Sequence, residues 1–100
     1  MATSSLKPPS CFQTIIVQSV SGSVTVNGGS VNTVSLGLSR SGWTPLGIVS
    51  LKHDKPILSC YGFGCTDNGG GSAGVWASYR NTGSSAQTAT VTAYVLWREG

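Results

Sequence analysis

The ten residues from Ala89 to Arg98, ATVTAYVLWR, constrain this chain more than any other stretch. They alternate without a break: Ala89, Val91, Ala93, Val95 and Trp97 fall on one side, Thr90, Thr92, Tyr94, Leu96 and Arg98 on the other. A period of two in a run rich in Val, Thr, Tyr and Trp is the mark of a β-strand with one buried face. Just upstream, Val75, Ala77 and Tyr79 alternate with Trp76, Ser78 and Arg80. Between the two runs lies Asn81-Thr82-Gly83-Ser84-Ser85, residues that tolerate positive φ and bond their own backbone in turns. The spacing predicts a hairpin. Because a two-stranded ribbon is marginal alone in water, the rest of the chain must supply the surface that covers it.

The remaining strands are read from the same alternation. Phe12 to Val20 is the first, punctuated by Ser21-Gly22, and Val24 to Val26 follows. Asn27-Gly28-Gly29 is the strongest short-range hairpin signal in the chain. Val31 to Leu38 runs back with Val34, Leu36 and Leu38 on one face, and Arg40-Ser41-Gly42 turns it. Trp43 to Leu51 opens with Pro45, which suits a strand start or an edge; its apolar residues fall on both faces. Lys52 to Pro56 is an exposed turn. Ile57 to Cys65 is a strand in which Gly62 and Gly64 signal a bulge or a close backbone approach, and Thr66 to Ser72 reads as a flexible surface loop. The sum is an all-β, antiparallel β-sandwich, jelly-roll-like, of about seven or eight short strands. A polar extended lead-in over residues 1–11, stiffened by Pro8-Pro9, precedes a single domain over 12–100.

Composition enters through charge. Only nine of the 100 residues are charged, against about a quarter in ordinary globular chains. A disordered chain would also lack the β-branched and aromatic runs seen here. An obligate oligomer, whose faces cover one another, has little need of charge there, and that is the reading adopted. The net charge of +3 is scattered over Lys7, Arg40, Lys52, Lys55, Arg80 and Arg98 without a basic run, so no nucleic-acid partner is expected. No apolar run is long enough to span a bilayer, and the first ten residues lack the apolar core of a secretory signal. With three cysteines at least one is unpaired. Cys60 and Cys65 are close enough to bridge if their glycines let the chain turn, but free thiols are the expectation for a protein made in the cytoplasm.

Chemistry-bearing constellations are sparse. The carboxylates are Asp54, Asp67 and Glu99 and the one histidine is His53. Asp54 and Asp67 are the sole candidates for a hydrolytic pair, and His53 could be paired with Asp54, Cys60 or Cys65 but lacks an identifiable third, orienting group. Cys60-x4-Cys65 with His53 does not have zinc-site spacing, and Asp67-Asn68 lacks the further acidic ligands that calcium needs. The glycines at 69–71 are followed by a strand pattern rather than the helix a phosphate loop requires. No catalytic residue, metal ligand or cofactor is assigned; a small hydrolase or metal-binding protein stays as a remote alternative. The aromatics are mostly core or interface material. For ligand contact the candidates are Tyr61 and Phe63, set among glycines beside Asp67 and Asn68, and then Trp76 with Arg80.

Two segments, Trp43-Thr44-Pro45-Leu46-Gly47-Ile48-Val49 and YRNTGSSAQTATVTAYVLW over 79–97, resemble the C-terminal receptor-binding β-sandwich modules of bacteriophage tail fibres and related spike or head-fibre proteins. The likeness extends over residues 24–98 and its motifs carry no catalytic residues. It implies a homotrimer about a threefold axis, made in the bacterial host cytoplasm and mounted on the virion among other virion proteins. Leu46, Ile48, Tyr94 and Leu96 are then candidate subunit contacts, and host surface polysaccharide is the implied ligand. Such modules sit at the end of a long fibre, whereas a short lead-in precedes this one. That raises, as the alternative, a capsid-decoration or fibre-attachment role without receptor binding.

Overall fold

The alternation is realised along nearly the whole chain. In the computed structural model, residues 14–100 are described; the lead-in over 1–11 and Phe12 lie outside them. The strands are β1 (Ile15–Val26), β2 (Val31–Ser39), β3 (Trp43–His53), β4 (Leu58–Gly69), β5 (Ser72–Asn81) and β6 (Gln87–Glu99). They form two antiparallel three-stranded sheets, β1-β6-β3 and β2-β5-β4. The sheets pack with β1 beside β2 on one flank and β3 beside β4 on the other. The fold is an all-β antiparallel sandwich.

Its core is built mainly from the two central strands. On β6 Ala89, Val91, Ala93, Val95 and Trp97 are fully buried, as the alternation predicts, and on β5 Ala73, Val75, Ala77 and Tyr79 face them. Flanking strands close two clusters. One joins Val24, Val26, Val34 and Leu58 to Ala77, Tyr79, Ala89 and Val91. The other joins Leu38 to Ala73, Val75, Ala93, Val95 and Trp97, with Ile16, Val20, Trp43 and Ile48 packed against it.

Three expectations are corrected. Among the described residues six long strands replace the seven or eight short ones, because the predicted breaks are not breaks. β1 runs straight through Ser21-Gly22, and Gly22 faces inward where a Cβ would collide with the Leu36 side chain. β4 likewise runs on to Gly69, so Thr66–Ser72 is no loose loop. Gly70 and Gly71, with φ of 64° and 79°, make a two-residue turn that pairs Gly69 with Ser72. Positive φ at both central positions gives the turn twist that suits a tight hairpin.

The third correction concerns connectivity. β5 and β6 do not form a hairpin; each is the centre of a different sheet. β1 and β2, joined at Asn27-Gly28-Gly29, are also in different sheets. Both connections are arches that cross the sandwich. They nest: a Cβ on Gly28 would meet the Ser84 backbone at 2.5 Å. Asn81 fastens them from inside. Its Nδ2 donates to the carbonyls of Val26 and Ser85, both at 2.9 Å, and its Oδ1 accepts from Gly83 N–H at 2.8 Å.

Candidate functional site

Trp76 occupies the outer face of the β2-β5-β4 sheet, opposite Gly64 on β4. A Cβ on Gly64 would come within 2.6 Å of the indole Nε1, and one on Gly62 within 3.4 Å of Cζ3. The indole therefore lies against a strip of bare backbone. The glycines do what their position in a strand suggests, letting another group come close. Trp76 stays 41% exposed, so the ring is backed by main chain and open to solvent.

Further along the same face, Tyr61 is 54% exposed and the Arg80 guanidinium stands 5.7 Å from its ring centroid. Tyr61 reaches this face by alternation from Cys60, which is in register with buried Tyr79, and it is the extra residue of the bulge between Cys60 and Gly62. Beside this row the Ser78 and Thr33 hydroxyls share a 2.7 Å hydrogen bond. At the other end the Asn68 amide lies 3.5 Å from the Cβ position of Gly74. Asn68, Trp76, Tyr61 and Arg80 thus form one strip along one sheet face.

The other two ligand candidates lie elsewhere. The same bulge puts Phe63 in register with buried Ala77, on the side opposite to Tyr61, although alternation from residue 61 would set the two together. Phe63 is 56% exposed and lines a cleft of about 320 Å³ between β3 and β4, with Ile48, Val49, Ser50, Leu51 and Cys60. Asp67 is in register with Ala73, and its Oδ1 accepts from Gly69 N–H at 2.9 Å, closing the bulge before the glycine turn.

The candidate subunit contacts also divide. Bulges in β3 between Pro45 and Gly47 and between Ile48 and Ser50 leave Leu46 and Val49 exposed. Ile48 packs inward on the Trp97 cluster. Tyr94 and Leu96 are half-buried on the outer face of β1-β6-β3, where Leu96 lies opposite exposed Val17.

Of the titratable groups, His53 and Asp54 are each held by backbone and by different elements. His53 Nε2 is 2.9 Å from the Leu58 carbonyl; since a carbonyl can only accept, the proton is assigned to Nε2. Its ring meets Tyr79 edge-on at 5.0 Å. Asp54 Oδ1 accepts from Thr90 N–H at 2.9 Å. Cys60 and Cys65 are free thiols. Burial, then the charge of Asp67, pushes the Cys65 thiol up. The Tyr79 phenol is pushed up to about 12 by burial first and the nearby Cys60 second. Its hydroxyl has no well-formed hydrogen bond. Among the described residues no three His, Cys, Asp or Glu side chains converge as a metal site.

Comparison with protein-family models, curated proteins and solved structures finds no match to this chain.

Proposed function

We propose that the chain is a bacteriophage virion structural protein that adheres to host-surface polysaccharide through the outer face of its β2-β5-β4 sheet. The observation that carries the adhesive reading is the indole of Trp76, bedded on the backbone at Gly62 and Gly64 and open on its other side. An aromatic face is electron-rich and attracts the polarised C–H groups on one side of a pyranose ring. The Arg80 guanidinium and the Asn68 amide flank it with donors for sugar hydroxyls. Such a shallow site binds weakly by itself, and several copies presented together multiply its effect. The viral setting, and the threefold grouping it implies, rest on the likeness of residues 43–49 and 79–97 to tail-fibre modules.

The test is binding to a glycan array and to host cells by the protein and its Trp76→Ala variant, with far-UV circular dichroism as the folding control. Binding that drops at least about fivefold on losing the indole is expected, taking roughly 1–3 kcal/mol for a ring stacked on an aromatic side chain. Unchanged binding in a folded variant sinks the reading. The decoration or attachment alternative is favoured by the apolar outer patch of Ile15, Val17, Leu46 and Leu96; it predicts binding to capsid or tail particles and none to cells.

A further inference from the structure

The two flanks of the sandwich are finished differently. On one, β3 carries Pro45, Lys52 and two bulges, and β4 carries Asp67 and two bulges. These are the devices by which natural sheets prevent their edges from pairing with another chain. On the other flank, β1 and β2 keep unbroken register over twelve and nine residues. Neither contains a proline, and residues 14–39 contain no charged side chain. Among the described residues this flank carries none of that protection.

The open backbone groups can be identified. Glu99 N–H donates to the Thr14 carbonyl at 3.0 Å, one step before the Ile15–Arg98 pair. In an antiparallel ladder bonded pairs recur every second residue, so the even-numbered residues of β1 bond to β6. The odd-numbered ones, from Ile15 to Thr25, direct N–H and C=O outward. Near the arch this edge is already occupied: Asn32 Nδ2 donates to the Thr25 carbonyl and Asn32 Oδ1 accepts from Thr33 N–H, both at 2.8 Å. Among the described residues the stretch left open runs from Ile15 to Ser23, and Ser19 is its midpoint.

We propose that two copies of this chain join by antiparallel pairing of β1 with β1 about a twofold axis at Ser19, fusing their β1-β6-β3 sheets into one six-stranded sheet. A second copy is the fitting occupant because the pairing is self-complementary: Ile15 meets Ser23, Val17 meets Ser21 and Ser19 meets Ser19, each with outward donors and acceptors in place. Charge points the same way. The molecule carries +3 overall, and this is the flank on which copies approach without bringing described cations together. The joint does not use the Trp76 face, so it stands or falls separately from polysaccharide binding.

Light scattering on the full chain tests it. The protomer is 10.2 kDa, and a particle of two copies is expected, or of six if a threefold contact operates as well. Ser19→Pro deletes an outward N–H and leaves the β6 ladder its donors, as proline on an edge can; it is expected to give folded monomer, or plain trimer under the threefold contact. Ser19→Lys sets two cations face to face across the axis and is expected to weaken association about twofold to fivefold at low salt, with recovery at high salt. It serves where the proline variant fails to fold. A wild-type chain that is monomeric or a plain trimer overturns the proposal. So does a folded Ser19→Lys variant whose association is unchanged. Either result leaves the glycan measurement untouched.

Discussion

The two ends of the sandwich are closed by different physical means. At the end where β1 meets β2 and β5 meets β6, the chain crosses between sheets on arches, and a buried amide, Asn81, satisfies three backbone groups at 2.8–2.9 Å. At the opposite end the chain closes around bulk. Trp97 is fully buried, Trp43 packs on the same cluster, and the Arg40 guanidinium sits 4.6 Å over the Trp43 ring. Gln18 Oε1, Arg40 Nε and Trp97 Nε1 are buried there without well-formed hydrogen bonds, as is the Tyr79 hydroxyl toward the first end. The first end is fastened by a buried side-chain amide, the second by bulk together with backbone bonds such as Gly100 N–H to the Gly42 carbonyl at 2.9 Å. Buried polar networks fix a geometry when fully satisfied, whereas apolar bulk fixes how much is enclosed.

Substitutions can break this contrast. The largest effect is expected from Trp97→Ala, which empties the bulk-closed end and costs about 3–5 kcal/mol in urea unfolding. Trp97→Phe should recover much of it if volume is what counts. Asn81→Ala comes next, at about 2–3 kcal/mol, because three buried or half-buried backbone groups lose their partner. Asn81→Leu should be no better, although it restores bulk; a leucine that rescues stability would erase the distinction between the ends.

A smaller effect concerns Tyr79 and alkaline pH. Its phenol titrates near 12 in the fold and near 10 in the unfolded chain. Above pH 10 the unfolded state therefore releases the proton first, and stability falls as pH rises from 10 toward 12. Tyr79→Phe should flatten that fall and change stability at pH 7 by under about 1 kcal/mol, since the deleted hydroxyl has no well-formed bond. Gln18→Leu is expected to matter least. Replacing a buried, unpartnered amide oxygen by an apolar group should stabilise the far end by a few tenths to about 1 kcal/mol, read as a small rise in thermal midpoint.

The candidate site was partly legible. Trp76 and Arg80 share a face by simple alternation, and a strand containing Gly62 and Gly64 announces a close approach. That the approaching group is the Trp76 indole follows from β4–β5 register, which the two glycines at the turn fix once their φ values are known. Tyr61 and Phe63 could not be sorted, because a single bulged residue inverts the parity of everything beyond it. The same device, used twice in β3, brings Pro45, Ile48 and Leu51 to the inner face at a spacing of three. No period-2 reading finds that.

The sequence by itself determined which side of β2, β5 and β6 is buried. Ala89 to Trp97 and Val34 to Leu38 carry that information in their own alternation, a consequence of backbone geometry that needs no partner. Only the tertiary structure decided whom each strand pairs with. Asn27-Gly28-Gly29 and Asn81-Thr82-Gly83 suit a hairpin and an arch equally, since both ask for small residues that bond their own backbone in a turn. The choice fell to contacts distant in sequence, such as Asn81 on the Val26 carbonyl and Leu36 over Gly22, whose energies appear only when both sheets are in place.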